Sequence, residues 1–182
     1  RNSLERGYKN YNDNDLIMIS DIDEIPDPNK LSQFNVKNKY ACFIQKNFQG
    51  KINRLNISEE NWQGTKICQK KFLKSPQWLR NMKNNKKKFW QFYKENDPQV
   101  ILNGGWHFSY LKEPKLIKKK IKSFAHQEFN QTEFTDVNEI ERRIESGVDL
   151  FDREYKYKKV EIDEQFPEYI LENKLKFKNW IL

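Results

Sequence analysis

The chain has 182 residues, enough for one domain with a substantial core, and carries 36% hydrophobic and 14% aromatic residues, so Phe, Tyr and Trp dominate that core. No apolar run approaches the ~20 residues of a membrane-spanning helix, and no signal peptide is visible. The net charge of +8 is spread along the chain as lysine among asparagine, which describes a solvated surface better than a specific nucleic-acid interface.

In chain order, residues 1–14 are polar and lead into Leu16 to Ile19, a short β-branched apolar run that reads as a strand buried on both faces. Asp21, Asp23 and Glu24 follow at once, and Pro26 stops the strand. Carboxylates at the carboxyl end of a buried strand sit where an open α/β sheet places its ligand crevice. Asp21 and Asp23 are two apart, so in extended chain they face the same side. Two such groups repel unless a cation or a shared proton lies between them, and an oxygen-rich cluster suits Mg²⁺ or Mn²⁺ better than zinc. The plain alternative is an acidic turn that binds nothing.

Asp27-Pro28 reads as a helix start, with Leu31 and Phe34 on one face. Lys39 to Phe48 alternates as a strand, Gly50 marks a turn, and Gly64 to Cys68 is a further strand. Cys42 and Cys68 lie inside these strands without metal-ligand spacing. A single bridge is open to them, but two buried thiols in a reducing, cytoplasmic compartment is the preferred reading. Ser75-Pro76 opens a short helix through Trp78, Leu79 and Met82. Asn81 to Tyr93 is a Lys/Asn run ending in aromatics, read as a charged loop entering a core strand rather than a base-stacking surface.

Val100 to Leu111 is expected to be one strand with two distinct faces. Val100, Leu102, Trp106, Phe108 and Tyr110 share one side, while Asn103, Gly105, His107 and Ser109 share the other. Gly104-Gly105 lets something approach the backbone closely, and a small polar face with a histidine suits a ligand pocket. Glu113-Pro114 begins a helix with Leu116, Ile117, Ile121 and Phe124 as its apolar stripe. Thr135 or Asp136 caps the next helix, Val137, Ile140 and Ile144 face the core, Glu139 and Arg143 pair, and Gly147 ends it. A last strand is expected within Lys156 to Ile162 and a last helix from Pro167, before an apolar end that docks on the body.

Three ordered blocks carry a family resemblance: Ser20-Asp21-Ile-Asp23-Glu24-Ile-Pro26, Gly104-Gly105-Trp106-His107-Phe-Ser109, and Lys120-Ile-Lys-Ser123-Phe-Ala-His126-Gln-Glu128-Phe129. Together with Ile140 to Asp152 and Pro167 to Asn173 they resemble glycosyltransferase family seventeen. Its best-known members are β-1,4-mannosyl-glycoprotein 4-β-N-acetylglucosaminyltransferases, which add the bisecting GlcNAc of N-glycans. The resemblance implies an α/β fold of GT-A type, a mixed sheet flanked by helices, here as a single domain over residues 1–182. Family members carry a further α/β segment before the Asp-x-Asp strand. The chain is thus expected to lack the N-terminal part of the nucleotide-binding half and to be an N-terminally truncated fragment.

The resemblance further implies an inverting transfer that makes a β-linkage, with UDP-GlcNAc as donor and a glycan as acceptor. It places Mn²⁺ or Mg²⁺ at Asp21 and Asp23. Beside that, Glu24 is a candidate for the metal's waters or for orienting its neighbours, and His107 is a candidate metal or phosphate ligand, with a structural histidine bonded to a backbone carbonyl as the open alternative. Lys120, Asn103, Gly105, Trp106, Ser109 and His126 become candidate donor contacts. Glu128 is the candidate base for the acceptor hydroxyl, with Asp23 also counted in the catalytic set. Two other readings stay open on the residues alone: a metal-dependent phosphoryl-transfer enzyme, and a non-catalytic basic domain that binds nucleic acid.

Overall fold

The computed structural model describes residues 2–83, 98–123 and 131–182. Its strands are β1 (Leu16–Ile19), β2 (Glu24–Pro26), β3 (Tyr40–Gln49), β4 (Arg54–Asn56), β5 (Asn61–Gln69), β6 (Gln99–Ile101), β7 (Gly105–Ser109) and β8 (Tyr157–Lys159). Its helices are α1 (Glu5–Tyr8), α2 (Pro76–Asn81), α3 (Pro114–Lys122), α4 (Thr132–Thr135), α5 (Val137–Ser146) and α6 (Glu168–Glu172). The chain divides into two units, residues 1–46 with 61–107, and residues 47–60 with 108–182.

In the first unit β5 lies between β1 and β3, antiparallel to both, while β6 runs parallel to β3. The sheet is therefore mixed, as expected for an α/β chain. Alternation along β3 and β5 separates two cores. Tyr40 and Cys68 join Ile17, Ile19 and Leu79 of α2 on one face. Ala41, Phe43 and Ile67 join Phe34 and Ile101 on the other. Ser75 starts α2 by accepting a hydrogen bond from Trp78 N at 3.1 Å, with Pro76 in the first turn. Both cysteines are free and buried, and burial pushes the Cys68 thiol up to about 12.

Two expectations are corrected here, and the helix start at Asp27-Pro28 is borne out but refined in type. β1 is not buried on both faces: it stands at the end of the strand order, pairs with β5, and leaves Leu16 47% exposed. Pro28–Gln33 is a 3-10 helix, with Asp27 Oδ1 accepting from Asn29 N at 2.9 Å. Val100 to Leu111 is not one strand. Asn103, at φ +48°, breaks it into β6 and β7, so Leu102 is exposed in the turn and Ile101 takes the core position.

The second unit is built on helices. Ile117 and Ile121 of α3 meet Ile140 and Ile144 of α5, together with Leu150 and Phe151. Each such burial contributes about 2 kcal/mol. Leu116, expected in this stripe, is 49% exposed instead. Asp136 caps α5 by accepting from Glu139 N at 3.0 Å, and Gly147 ends it in the left-handed region at φ +78°. Arg54 is buried, with Tyr157 of β8 stacked 3.6 Å from its guanidinium carbon and the Val148 carbonyl accepting from Nη2 at 2.6 Å. The apolar end docks as expected: Leu182 N donates to Asn53 Oδ1 at 2.8 Å and Ile52 N to the Trp180 carbonyl at 2.8 Å.

Glu139 accepts from Arg143 Nε at 2.8 Å, the expected pair, and also from Arg142. Hydrogen bonds from Arg142, then Arg143, lower its carboxyl to about 2 from an ordinary value of 4.5. A lowered folded-state value contributes stability above the unfolded value that is lost as pH falls. The melting-temperature difference between the wild type and Glu139→Gln should therefore be full above pH 4.5 and fade toward pH 2. Melts across that range that show a constant difference would remove this linkage.

Candidate active site at the acidic turn

The candidate site lies within the first unit. Its acids do not sit in extended chain, as the two-residue spacing suggested. They occupy a tight turn between β1 and β2, closed by Glu24 N donating to the Asp21 carbonyl at 3.0 Å. The turn directs each carboxylate to a different partner.

Asp21 is gripped from α2. Arg80 Nε donates to its Oδ1 at 2.9 Å and Oδ2 at 3.1 Å, and Nη2 donates to Oδ2 as well. These bonds raise the Arg80 guanidinium above its ordinary value. The helix fixes this geometry because Leu79, the preceding residue, is fully buried and turns its neighbour outward.

Asp23 Oδ2 lies 3.8 Å from His107 Nε2. The strand register produces this approach: β2 and β7 are antiparallel, with Glu24 opposite His107, Ile25 opposite Trp106 and Pro26 opposite Gly105. His107 is buried, and the Trp62 indole of β5 stacks on its ring at 4.3 Å and 14°. Trp62 Nε1 in turn donates to Glu24 Oε1 at 2.9 Å, while Glu24 Oε2 accepts from Asp21 N at 3.1 Å. Glu24 thus ties the turn to the indole that sets the imidazole plane. Beneath the turn Ser20 and Thr65 share a hydroxyl hydrogen bond, and Gln45 Nε2 donates to Thr65 Oγ1 at 3.1 Å.

The other described candidates serve the backbone, sit in or beside the turn before β7, or belong to the second unit. At Gly105, with φ +133°, the close approach is made by β2 itself: a Cβ there would lie 2.8 Å from Asp27 N and closer still to the Ile25 carbonyl. Asn103 is exposed in the turn before it, and Trp106 is half-buried. Ser109 and Lys120 belong to the second unit. Ser109 Oγ donates to the Phe48 carbonyl at 3.2 Å, and Lys120 Nζ lies 4.4 Å from the centre of the Tyr110 ring. His126 and Glu128 fall outside the described residues, as do residues 84–93 of the Lys/Asn and aromatic run.

Sequence reasoning missed Arg80 and Trp62. Arg80 had a faint signal as the charged neighbour of an apolar residue on a short capped helix. Trp62 had one as a lone indole in a polar run.

Among the described residues, no three His, Cys, Asp or Glu side chains are grouped so as to hold a metal by themselves. The donor set present is a carboxylate beside an imidazole, with further carboxylates on the same turn. Those further carboxylates are engaged separately, Asp21 by Arg80 and Glu24 by Trp62, which leaves Asp23 with His107 as the closest acid–imidazole approach of the turn.

The family model for glycosyltransferase family 17 matches residues 2–181. No curated protein and no solved structure matches the chain.

Proposed function

The chain belongs to glycosyltransferase family 17, and from that we propose that it moves GlcNAc from UDP-GlcNAc to a glycan hydroxyl, with inversion to a β-linkage and with help from Mn²⁺ or Mg²⁺. That it is a glycosyltransferase, with a nucleotide-sugar donor and a glycan acceptor, follows from the family. The donor identity, the stereochemistry and the ion are our reading. The observation that carries it is Asp23 at 3.8 Å from His107, on a turn that bears two further acids.

Asp23 and His107 would hold the ion, with Asp21 and Glu24 beside them. When bound, it offsets negative charge on the departing nucleotide. The chain's own groups do the rest. Trp62 holds the imidazole plane and covers one of its faces. Arg80 holds the Asp21 carboxylate from α2 and so fixes the start of the turn. Glu128 takes the proton of the acceptor hydroxyl as its oxygen bonds to the anomeric carbon and the bond to the diphosphate breaks. The family assignment favours sugar transfer over the phosphoryl-transfer and nucleic-acid readings.

A thermal-shift screen of nucleotide sugars with Mn²⁺ or with EDTA tests the proposal. UDP-GlcNAc should raise the melting temperature most and only with Mn²⁺, because a ligand at about 100 Kd adds about 2.7 kcal/mol of stability. An equal shift in EDTA sinks the metal claim, and a larger shift with another sugar replaces the donor. In the same screen Glu128→Gln should keep the shift, while its turnover, followed separately as release of the nucleotide from the donor, falls about 100-fold or more. Unchanged turnover would remove Glu128 as the base.

A further inference from the structure

The second unit holds a cavity of about 230 Å³ that the site at the acidic turn does not use. Its floor is apolar: Ile144 is buried there beside Pro114 of α3. Gly50, at φ +77°, lets the chain pass over this floor, since a Cβ at that position would lie 3.1 Å from Ile144 Cγ1. Trp180 supplies an aromatic wall. It is half-buried and pinned by its backbone, its carbonyl accepting from Ile52 N at 2.8 Å and its N–H donating to Phe177 O at 2.8 Å. Lys51 Nζ fixes the neighbouring Asn179 carbonyl at 2.9 Å. The backbone that carries the indole is therefore held in place, which lowers the cost of ordering a ligand against it.

The polar rim carries both signs of charge. Glu141 and Glu145 stand one turn apart on α5, and Lys112 and Glu113 face them from the start of α3. On the same helix Glu139 is held by two arginines. Among the described residues Glu141 and Glu145, by contrast, have no side-chain hydrogen bond or ion pair. This mixture selects a ligand class. The carboxylates repel phosphate and other anions, and Lys112 disfavours a bound cation. An apolar floor with an indole wall would accept the C–H face of a ring, and the rim offers acceptors and a donor to hydroxyls that do both. The volume falls below the ~300 Å³ at which pockets begin to take drug-sized ligands, so one ring fits.

We infer that this cavity is a binding subsite for one neutral pyranose unit of a glycan, stacked on Trp180 and held by Glu141 and Glu145. The inference rests on the glycosyltransferase reading only for the choice of a glycan as the source of that ring.

Saturation-transfer NMR with the methyl glycosides of mannose and N-acetylglucosamine tests it. The wild type should transfer saturation to the ring protons of at least one of them. Trp180→Ala should weaken that binding about tenfold, the scale of a lost aromatic stacking contact plus its buried area. The double change Glu141→Gln with Glu145→Gln touches exposed side chains and should weaken it too, which guards against a folding defect in the tryptophan variant. Gly7→Ala, outside both sites, should leave the signal unchanged. Absence of any signal from the wild type, or a signal undiminished from the wild type in both Trp180→Ala and the double variant, overturns the assignment. Mn²⁺-dependent UDP-GlcNAc binding is followed in parallel: if it fails in a wild type that still binds glycoside, the donor reading falls and the subsite stands.

Discussion

Asp23→Asn should abolish Mn²⁺-dependent binding of UDP-GlcNAc while leaving the fold intact. The substitution keeps the shape of the side chain and removes its charge. His107, the imidazole 3.8 Å away, would then face a neutral amide, and a hard cation loses its carboxylate. Binding should fall roughly 100-fold or more, since even the outer partners of metal ligands are worth 10- to 100-fold. Stability should change little. The Asp23 side chain is 27% exposed, and a pair of that exposure contributes at most about 1 kcal/mol. Titration calorimetry with and without Mn²⁺, beside circular dichroism, separates the two effects. A variant that still binds the donor in a Mn²⁺-dependent manner would remove Asp23 from the site. Asp21→Asn should behave differently, because Asp21 already serves Arg80 and its loss also frees α2 from the turn.

Gly105→Ala should cost stability heavily, about 3 kcal/mol or more. Two causes add. The backbone at φ +133° lies where L side chains are strained, and the new methyl would meet Asp27 N at 2.8 Å, with the Ile25 carbonyl nearer still. Those atoms are backbone, so no side-chain rotation relieves the clash. The pairing of β2 with β7 that sets Glu24 opposite His107 would have to open, so the variant should lose the site as well as the stability. Urea denaturation measures the first loss and donor binding the second. Gly7→Ala is the control: nothing lies within 4 Å of that position, which is in α1, so it should be neutral or slightly stabilising. An unchanged urea midpoint for Gly105→Ala would mean the strand pair is not as close as described.

Much of this was legible in the residues. Ser75-Pro76 and Asp136 start helices where side-chain caps and proline prescribe it, and Gly147 ends one where only a left-handed residue fits. These signals are local, carried by atoms a few bonds apart. The three acids and His107 were also readable as candidates, and so was the family. Tertiary structure decided what each candidate meets. Arg80 reaches Asp21 across 59 positions and Trp62 reaches Glu24 across 38. Their meeting depends on strand order and register, which no short window encodes. The same reason explains why β1 buries Ile17 and Ile19 on one face but only part of Met18 on the other, with Leu16 exposed: its apolar run states a preference for burial, while its place at the end of the strand order determines how much burial is on offer. The glycine pair announced a close approach, and the fold supplied the protein's own strand as the thing that approaches.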